Sequence, residues 1–309
     1  VQRRGPLAYV SNERDGTITV INTSTDTVVE TIRVGARPRG IHLSPDKRLI
    51  YVALSYPSNR REGEDKIAAI DTYTNKVVAK YDAGTDPEQF VINLEGTRFY
   101  IANEDAGTAS ITELSSNRVI ATQVVGLEPE GVALSPDGRW VYVTSESSST
   151  VSVIDTQTNQ VTKTFLVGAR PREAAFSPDG TRAYVTAENG GTLSVVDTKD
   201  HSVVDTIQFP RGETQMKPKG VVVSSDGQRI YVATGRGNSV AVIEAASRKL
   251  LNMIAVGQRP WGIALTPDGK KLYTANGLSN DVSVIDTQTN QVIKTIKAGD
   301  GPWAIAIKP

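Results

Sequence analysis

Apolar residues in this chain come in short runs of about five to seven, each closed by Gly, Pro, Asn or Asp. Residues 130–168, "EGVALSPDGRWVYVTSESSSTVSVIDTQTNQVTKTFLVG", show the pattern. Within the runs both faces are apolar, as with Val151 and Val153 on one side and Ile154 on the other. That is the signature of a strand covered on both sides. Pro-Asp-Gly between the first two runs predicts a tight hairpin, since Pro presets φ and Gly accepts a positive one. No window carries helical periodicity. The segment therefore predicts four strands: "EGVALSP", "RWVYVTS", "TVSVIDT" and "QVTKTFLVG".

The pattern recurs. The undecapeptide "VSVIDTQTNQV" stands at 151–161 and again at 282–292, and each copy follows a strand centred on a tyrosine. Those tyrosines are Tyr9, Tyr51, Tyr100, Tyr142, Tyr184, Tyr231 and Tyr273, spaced by 42, 49, 42, 42, 47 and 42 residues. One unit of 42 is thus repeated seven times with two insertions, in "SYPSNRREGEDK" (55–66) and "FPRGETQMKP" (209–218). Four-stranded units of this length, buried on both faces, stack radially as propeller blades. The expectation is an all-β, seven-bladed β-propeller forming a single domain over 1–309. The chain begins in a second strand and ends in a first one, so residues 303–307 should complete the sheet begun by 7–34. Both insertions fall in connections on one face of such a ring, the top, which suggests the working face.

Composition narrows the chemistry. With 309 residues, 39% of them hydrophobic, the chain can bury a large core. Lys plus Arg equal Asp plus Glu at 34 each, so no net field draws it to nucleic acid. The absence of Cys removes disulfides, thiol nucleophiles and Cys-ligated metals. No apolar run is long enough for a membrane span.

A repeat supplies its own control: what all seven units share serves the blade, and what differs at equivalent positions can serve function. The acceptor that ends the third strand is shared, as Asn22, Asp71, Glu113, Asp155, Asp197, Glu244 and Asp286, and should cap the following turn. A proline before each first strand is also shared, but its flanks are not. Before it stand Arg37, Asp86, Glu128, Arg170, Lys217, Arg259 and Gly301. After it stand Arg39, Glu88, Glu130, Arg172, Lys219, Trp261 and Trp303. Placed around the top mouth of a channel, these residues can hold a small anion through Arg contacts and aromatic walls. They can equally form an Arg–Glu network that braces neighbouring blades.

Secondary candidates are Glu13, Glu104, Glu146 and Glu188, which follow the second strands at equivalent spacing, and His42, where other units carry Val or Ala. His201 is expected to face solvent. The four Glu residues lack calcium-loop spacing, no phosphate cradle or G-x-S-x-G elbow occurs, and two His residues are too few for an imidazole metal site.

"SPDGRWVYVTSESSSTVSVIDTQTNQVTKTFLVGARP" resembles the YVTN-type β-propeller repeat over the whole chain. "LAYVSNERDGTI", "YIANEDAGTASI", "EPEGVALSPDGR" and "YTANGLSNDVSVIDT" are similar to the propellers associated with PQQ-dependent alcohol catabolism. The resemblance implies a periplasmic or secreted accessory protein and supplies no catalytic residues. An anionic quinone such as PQQ could suit Arg37, Arg39, Arg170, Arg172 and Arg259 on chemical grounds alone.

The leading expectation is therefore a monomeric, non-catalytic propeller without a resident cofactor or metal, binding a small anion or a protein partner on its top face. Two alternatives stand beside it. One is a lactonase, lyase or hydrolase using the same face, which seven-bladed propellers can host. The other is a surface-layer or structural interaction module.

Overall fold

The computed structural model describes residues 5–35, 37–56, 65–211 and 215–309. Most of the first insertion, 57–64, and residues 212–214 of the second lie outside these.

Seven four-stranded antiparallel sheets form the blades of a propeller. Six are built from consecutive strands, starting at Pro38, Pro87, Pro129, Pro171, Val221 and Pro260. The remaining sheet closes the ring: Pro302–Lys308 pairs with Leu7–Asn12 in the register Leu7↔Lys308 and Ala8↔Ile307, as the repeat phase predicts. A 3₁₀ turn at Gly235–Gly237 is the one helical piece among the described residues.

Burial follows position in the blade. Second and third strands, such as Trp140–Ser145 and Thr150–Asp155, are buried almost throughout. Each faces a neighbouring sheet on both sides, which is why their sequences are apolar on both faces. Fourth strands form the rim and are mostly exposed, as at Thr27–Arg33.

The shared residues have the scaffold roles assigned to them. Asp71 Oδ1 accepts the N–H groups of Tyr73 and Thr74, and Asp286 Oδ1 those of Gln288 and Thr289. In the first hairpins Ser135 Oγ donates to Asp137 at 2.5 Å, and Gly138 takes the left-handed φ of 73°.

In four blades the repeated tyrosine clasps the next blade. Tyr9 donates to Asn75 Oδ1 at 3.1 Å, Tyr100 to Asn159 Oδ1 at 2.9 Å, and Tyr273 to Asp26. Each acceptor is the left-handed residue of the neighbouring turn between third and fourth strands, with φ between 52° and 57°. His201 holds this position in its own blade, where Nδ1 lies 2.7 Å from the Tyr142 hydroxyl. The expectation that His201 faces solvent is therefore corrected. Its ring is buried, edge-on to Trp140, and burial lowers its pKa.

First strands run along the axis and wall the channel, with their proline ends at the top.

Candidate functional site

The mouth of the channel is shaped by backbone strain. The residue before the proline adopts a left-handed φ at Arg37 (45°), Asp86 (44°), Glu128 (53°), Arg170 (59°) and Arg259 (55°). Only one blade uses glycine there, Gly301. Non-glycine residues in this region cost roughly 1–3 kcal/mol each. The turn aims each carbonyl at the end of its own second strand, where Glu104 N–H donates to Asp86 O, Glu146 N–H to Glu128 O and Glu188 N–H to Arg170 O. In the closing sheet Glu13 N–H donates to Gly301 O. That hydrogen bond brings the four candidate glutamates to the mouth.

There they pair with the arginines in two networks. Arg39, buried, ion-pairs with Glu13 at 3.1 Å, Asp86 at 3.6 Å, Glu104 at 3.6 Å and Glu88. Arg37 joins more peripherally, 3.4 Å from Glu13 and 3.8 Å from Asp86. Opposite charges from three successive blades are thereby tied together. Asp86, Glu88 and Glu104 converge closely enough to hold a metal ion, but the Arg39 guanidinium already supplies a cation to all three. Burial first, then the charges of Glu130 and Asp86, push Glu104 up to about 7.

The second network spans the next blades. Arg172 pairs with Glu130 at 2.5 Å, with Glu146, and with Glu188 at 3.7 Å. Arg170 pairs with Glu146 at 2.7 Å and Glu188 at 3.3 Å. Lys219 approaches Glu130 at 3.8 Å and sets its ammonium 3.7 Å from the centre of the Trp261 ring.

Lys219, Trp261 and Trp303 form the remaining arc of the mouth. The two indoles meet edge to face at 6.2 Å, and Arg259 stacks on Trp261 at 5.0 Å. Arg259 has no carboxylate within ion-pair distance among the described residues, and Lys217 donates to Asn189 Oδ1 at 2.6 Å. Burial in this arc pulls the Lys219 ammonium down to about 7, with Arg172 adding repulsion.

Beneath the mouth lies a cavity of about 430 Å³, lined on its polar side by Glu130, Arg172, Lys219, Gln89, Glu173 and His42, and walled by Trp261 and Trp303. A second cavity of about 430 Å³ continues toward the bottom and shares His42, Leu43 and Glu173 with the first. His42 stands edge-on to Phe90 with Nε2 3.3 Å from Gln89 Oε1, and burial lowers its pKa to about 4. At neutral pH it is an uncharged imidazole.

Glu173 was not singled out by the sequence. It is the second residue after its proline, where the other units carry Gly40, Gln89, Gly131, Gly220, Gly262 and Ala304. Inside the channel its Oε2 accepts Val221 N–H at 3.3 Å. Burial raises its pKa to about 7, with the Val221 N–H, Lys219 and Arg172 opposing and Glu130 assisting. The cavity thus holds a carboxyl and an amine that burial moves toward neutrality from opposite sides.

Two family models match the sequence, and the choice-of-anchor I domain covers residues 7–175, more than half of the chain. The chain belongs to the choice-of-anchor I domain family. A lactonase model, described as a seven-bladed β-propeller, matches residues 160–307 of this choice-of-anchor I propeller, the half that contains Glu173, Lys219 and both tryptophans of the mouth. No curated protein matches at a significant level.

Among solved structures, the chain is similar to a periplasmic gluconolactonase of Pseudomonas aeruginosa (18% identity, 98% of this chain and 99% of the other, TM-score 0.83). It is also similar to a Bacteroides fragilis protein provisionally assigned as a 6-phosphogluconolactonase (19%, 99% and 99%, TM-score 0.81). Hydrazine synthase of Kuenenia stuttgartiensis shares the architecture too (20%, 90% and 92%, TM-score 0.77). At such identities the likeness carries the fold.

These findings correct the functional expectation. The reading of a non-catalytic accessory or binding protein, and with it of a chain that is not an enzyme, is overturned by the lactonase match, which favours the hydrolase alternative. The physical reason for the error is that the residues flanking each proline carry mostly paired charges, whereas Glu173 sits one position deeper.

Proposed function

We propose that this propeller is a lactone hydrolase whose reaction takes place in the upper channel. The observation that carries the reading is the pair Glu173 and Lys219, a carboxyl raised and an amine lowered to about 7 around one cavity. Acid–base catalysts work best when their pKa lies near the working pH, and strongly shifted groups that share a cavity are candidates for that work.

In this reading the Glu173 carboxylate takes a proton from a water that attacks the ester carbon of a lactone. Negative charge that develops on the carbonyl oxygen faces Arg172 and Lys219, donors already fixed by Glu130 and by the Trp261 face. When the ring C–O bond breaks, the Lys219 ammonium can protonate the leaving alkoxide, giving the open hydroxy acid. His42, neutral, can donate or accept a hydrogen bond without adding charge. The similarity to the lactonase model over 160–307 supports the same chemistry.

The test is acid release from simple γ- and δ-lactones, followed by pH-stat. A bell-shaped kcat/KM profile centred near pH 7 is expected, reporting the two groups as a coupled pair. Glu173→Gln should lower kcat by about 10²–10⁴-fold. Absence of hydrolysis above the buffer rate, or a Glu173→Gln variant with full kcat, would refute the assignment. The resemblance to propellers of PQQ-dependent catabolism supports a periplasmic or secreted setting, which cell fractionation can check.

A further inference from the structure

Below the Glu173 layer the channel changes character. The fourth and fifth residues after each proline contribute fourteen side chains to its wall, and His42 alone among them is polar. Ala175, Phe176, Val222 and Leu265 are representative. Sugar hydroxyls pushed into these layers would lose their water and find no partners, a cost of about 1–3 kcal/mol for each unpaired group. Methylene groups would gain by the same transfer. The lower cavity continues past Leu134 to Leu94 and Pro45, beside Asn93, whose amide is already engaged by Thr97 and the Arg98 N–H.

We propose that the substrate is a lactone bearing an alkyl or acyl chain, with its ring beside Glu173 and its chain running down the apolar channel. The inference rests on the hydrolase reading above and adds the substrate class. The upper cavity keeps its cations and tryptophans around the ring, and in the fourth and fifth layers below only His42 could read a polar substituent. Three residues of strand separate the Glu173 layer from the fifth residues, about 10 Å of channel, or the length of an alkyl chain of roughly eight carbons. Two joined cavities of about 430 Å³ each have the capacity for it. Because His42 is neutral, no charge interrupts the path.

The experiment uses the whole protein with γ-lactones of increasing side-chain length, beside gluconolactone, and with the corresponding hydroxy acids as calorimetric binding probes. We expect kcat/KM to rise about four-fold per methylene, the equivalent of about 0.8 kcal/mol per CH₂, and to level off near eight carbons. Gluconolactone should be a poor substrate. Ala175→Phe, which narrows the lower channel, should reduce the ratio of long-chain to short-chain kcat/KM at least ten-fold. Hydrolysis that is indifferent to chain length, or that favours gluconolactone, overturns this inference and leaves the hydrolase reading intact. Chain-length-dependent binding of the hydroxy acids without hydrolysis of any lactone overturns the hydrolase reading instead. If Ala175→Phe does not fold, the wild-type series decides alone.

Discussion

Replacing Glu173 with Gln should stabilise the fold while it removes activity, and the gain should depend on pH in one direction. The folded protein holds the Glu173 carboxyl at about 7, raised from 4.5 chiefly by burial. Between those values the native chain keeps a proton that the unfolded chain has lost, so wild-type stability falls as pH rises through this window. One pKa unit corresponds to about 1.4 kcal/mol, and the full shift to about 3 kcal/mol above pH 7. Gln carries no such cost. The variant and wild type should therefore be equally stable near pH 4.5 and diverge to about 3 kcal/mol by pH 8, or roughly 4–5 °C in Tm for a chain of this length. Lys219 and His42, whose pKa values are lowered, add terms of the opposite slope; the His42 term is common to both chains and cancels, and the Lys219 term changes only by its minor Coulomb interaction with Glu173. Paired thermal and urea melts at pH 4.5, 6, 7 and 8 at constant ionic strength measure it. A difference that stays flat across this range would refute the placement of an ionising, desolvated carboxyl in the channel.

Two further predictions concern the scaffold. Arg39→Ala should cost about 3–5 kcal/mol because it strands buried carboxylates, whereas Arg37→Ala, at the more exposed edge of the same network, should cost less than about 1 kcal/mol; equal costs in urea melts would show that the network is not organised around Arg39. Deleting residues 303–309 removes buried Trp303 and Ile305, each worth about 1.5–3 kcal/mol, and unpairs Leu7–Asn12. Several kcal/mol is a large share of a typical fold's stability, so the melt should fall by more than about 10 °C or lose cooperativity, and an unchanged Tm would mean the ring closes by other means.

The architecture was legible because the tyrosine and the turn act at a distance that sequence spacing preserves. A period of 42 recurs because each unit is one four-stranded blade, and in four of them the tyrosine also reaches the left-handed residue of the next blade's turn, as Tyr100 reaches Asn159. His201 was misplaced for the same reason: the repeat identifies its position as that of Asn159, but only the fold shows that this position is a buried acceptor rather than a solvent-facing tip. The insertions gave length without chemistry, and the charges around the prolines could have meant either binding or bracing. Arg39 and Arg172 resolved into ion pairs because glutamates 13, 104, 146 and 188 arrive beside them on a backbone hydrogen bond that no local pattern announces.

Depth decides what a charge at this face can do. At the rim, water and opposite charges from adjacent blades keep Arg37 and Glu13 solvated and paired. One layer deeper the first strands approach so closely that a Cβ at Gly131 would strike the Arg172 carbonyl and one at Gly220 the Trp261 carbonyl. Glycine is therefore the ordinary residue of that layer, and a long side chain there must lie within the channel or along its wall. Gln89 does so next to His42, and Glu173 does so alone as an acid, where desolvation outweighs the nearby cations and lifts its pKa. In a ring of repeats an exception to glycine thus points more directly at chemistry than an exception in charge. The carboxyl that breaks the glycine rule is the one whose desolvation outweighs the opposite charges around it, and that is the condition under which a carboxylate becomes a base near pH 7.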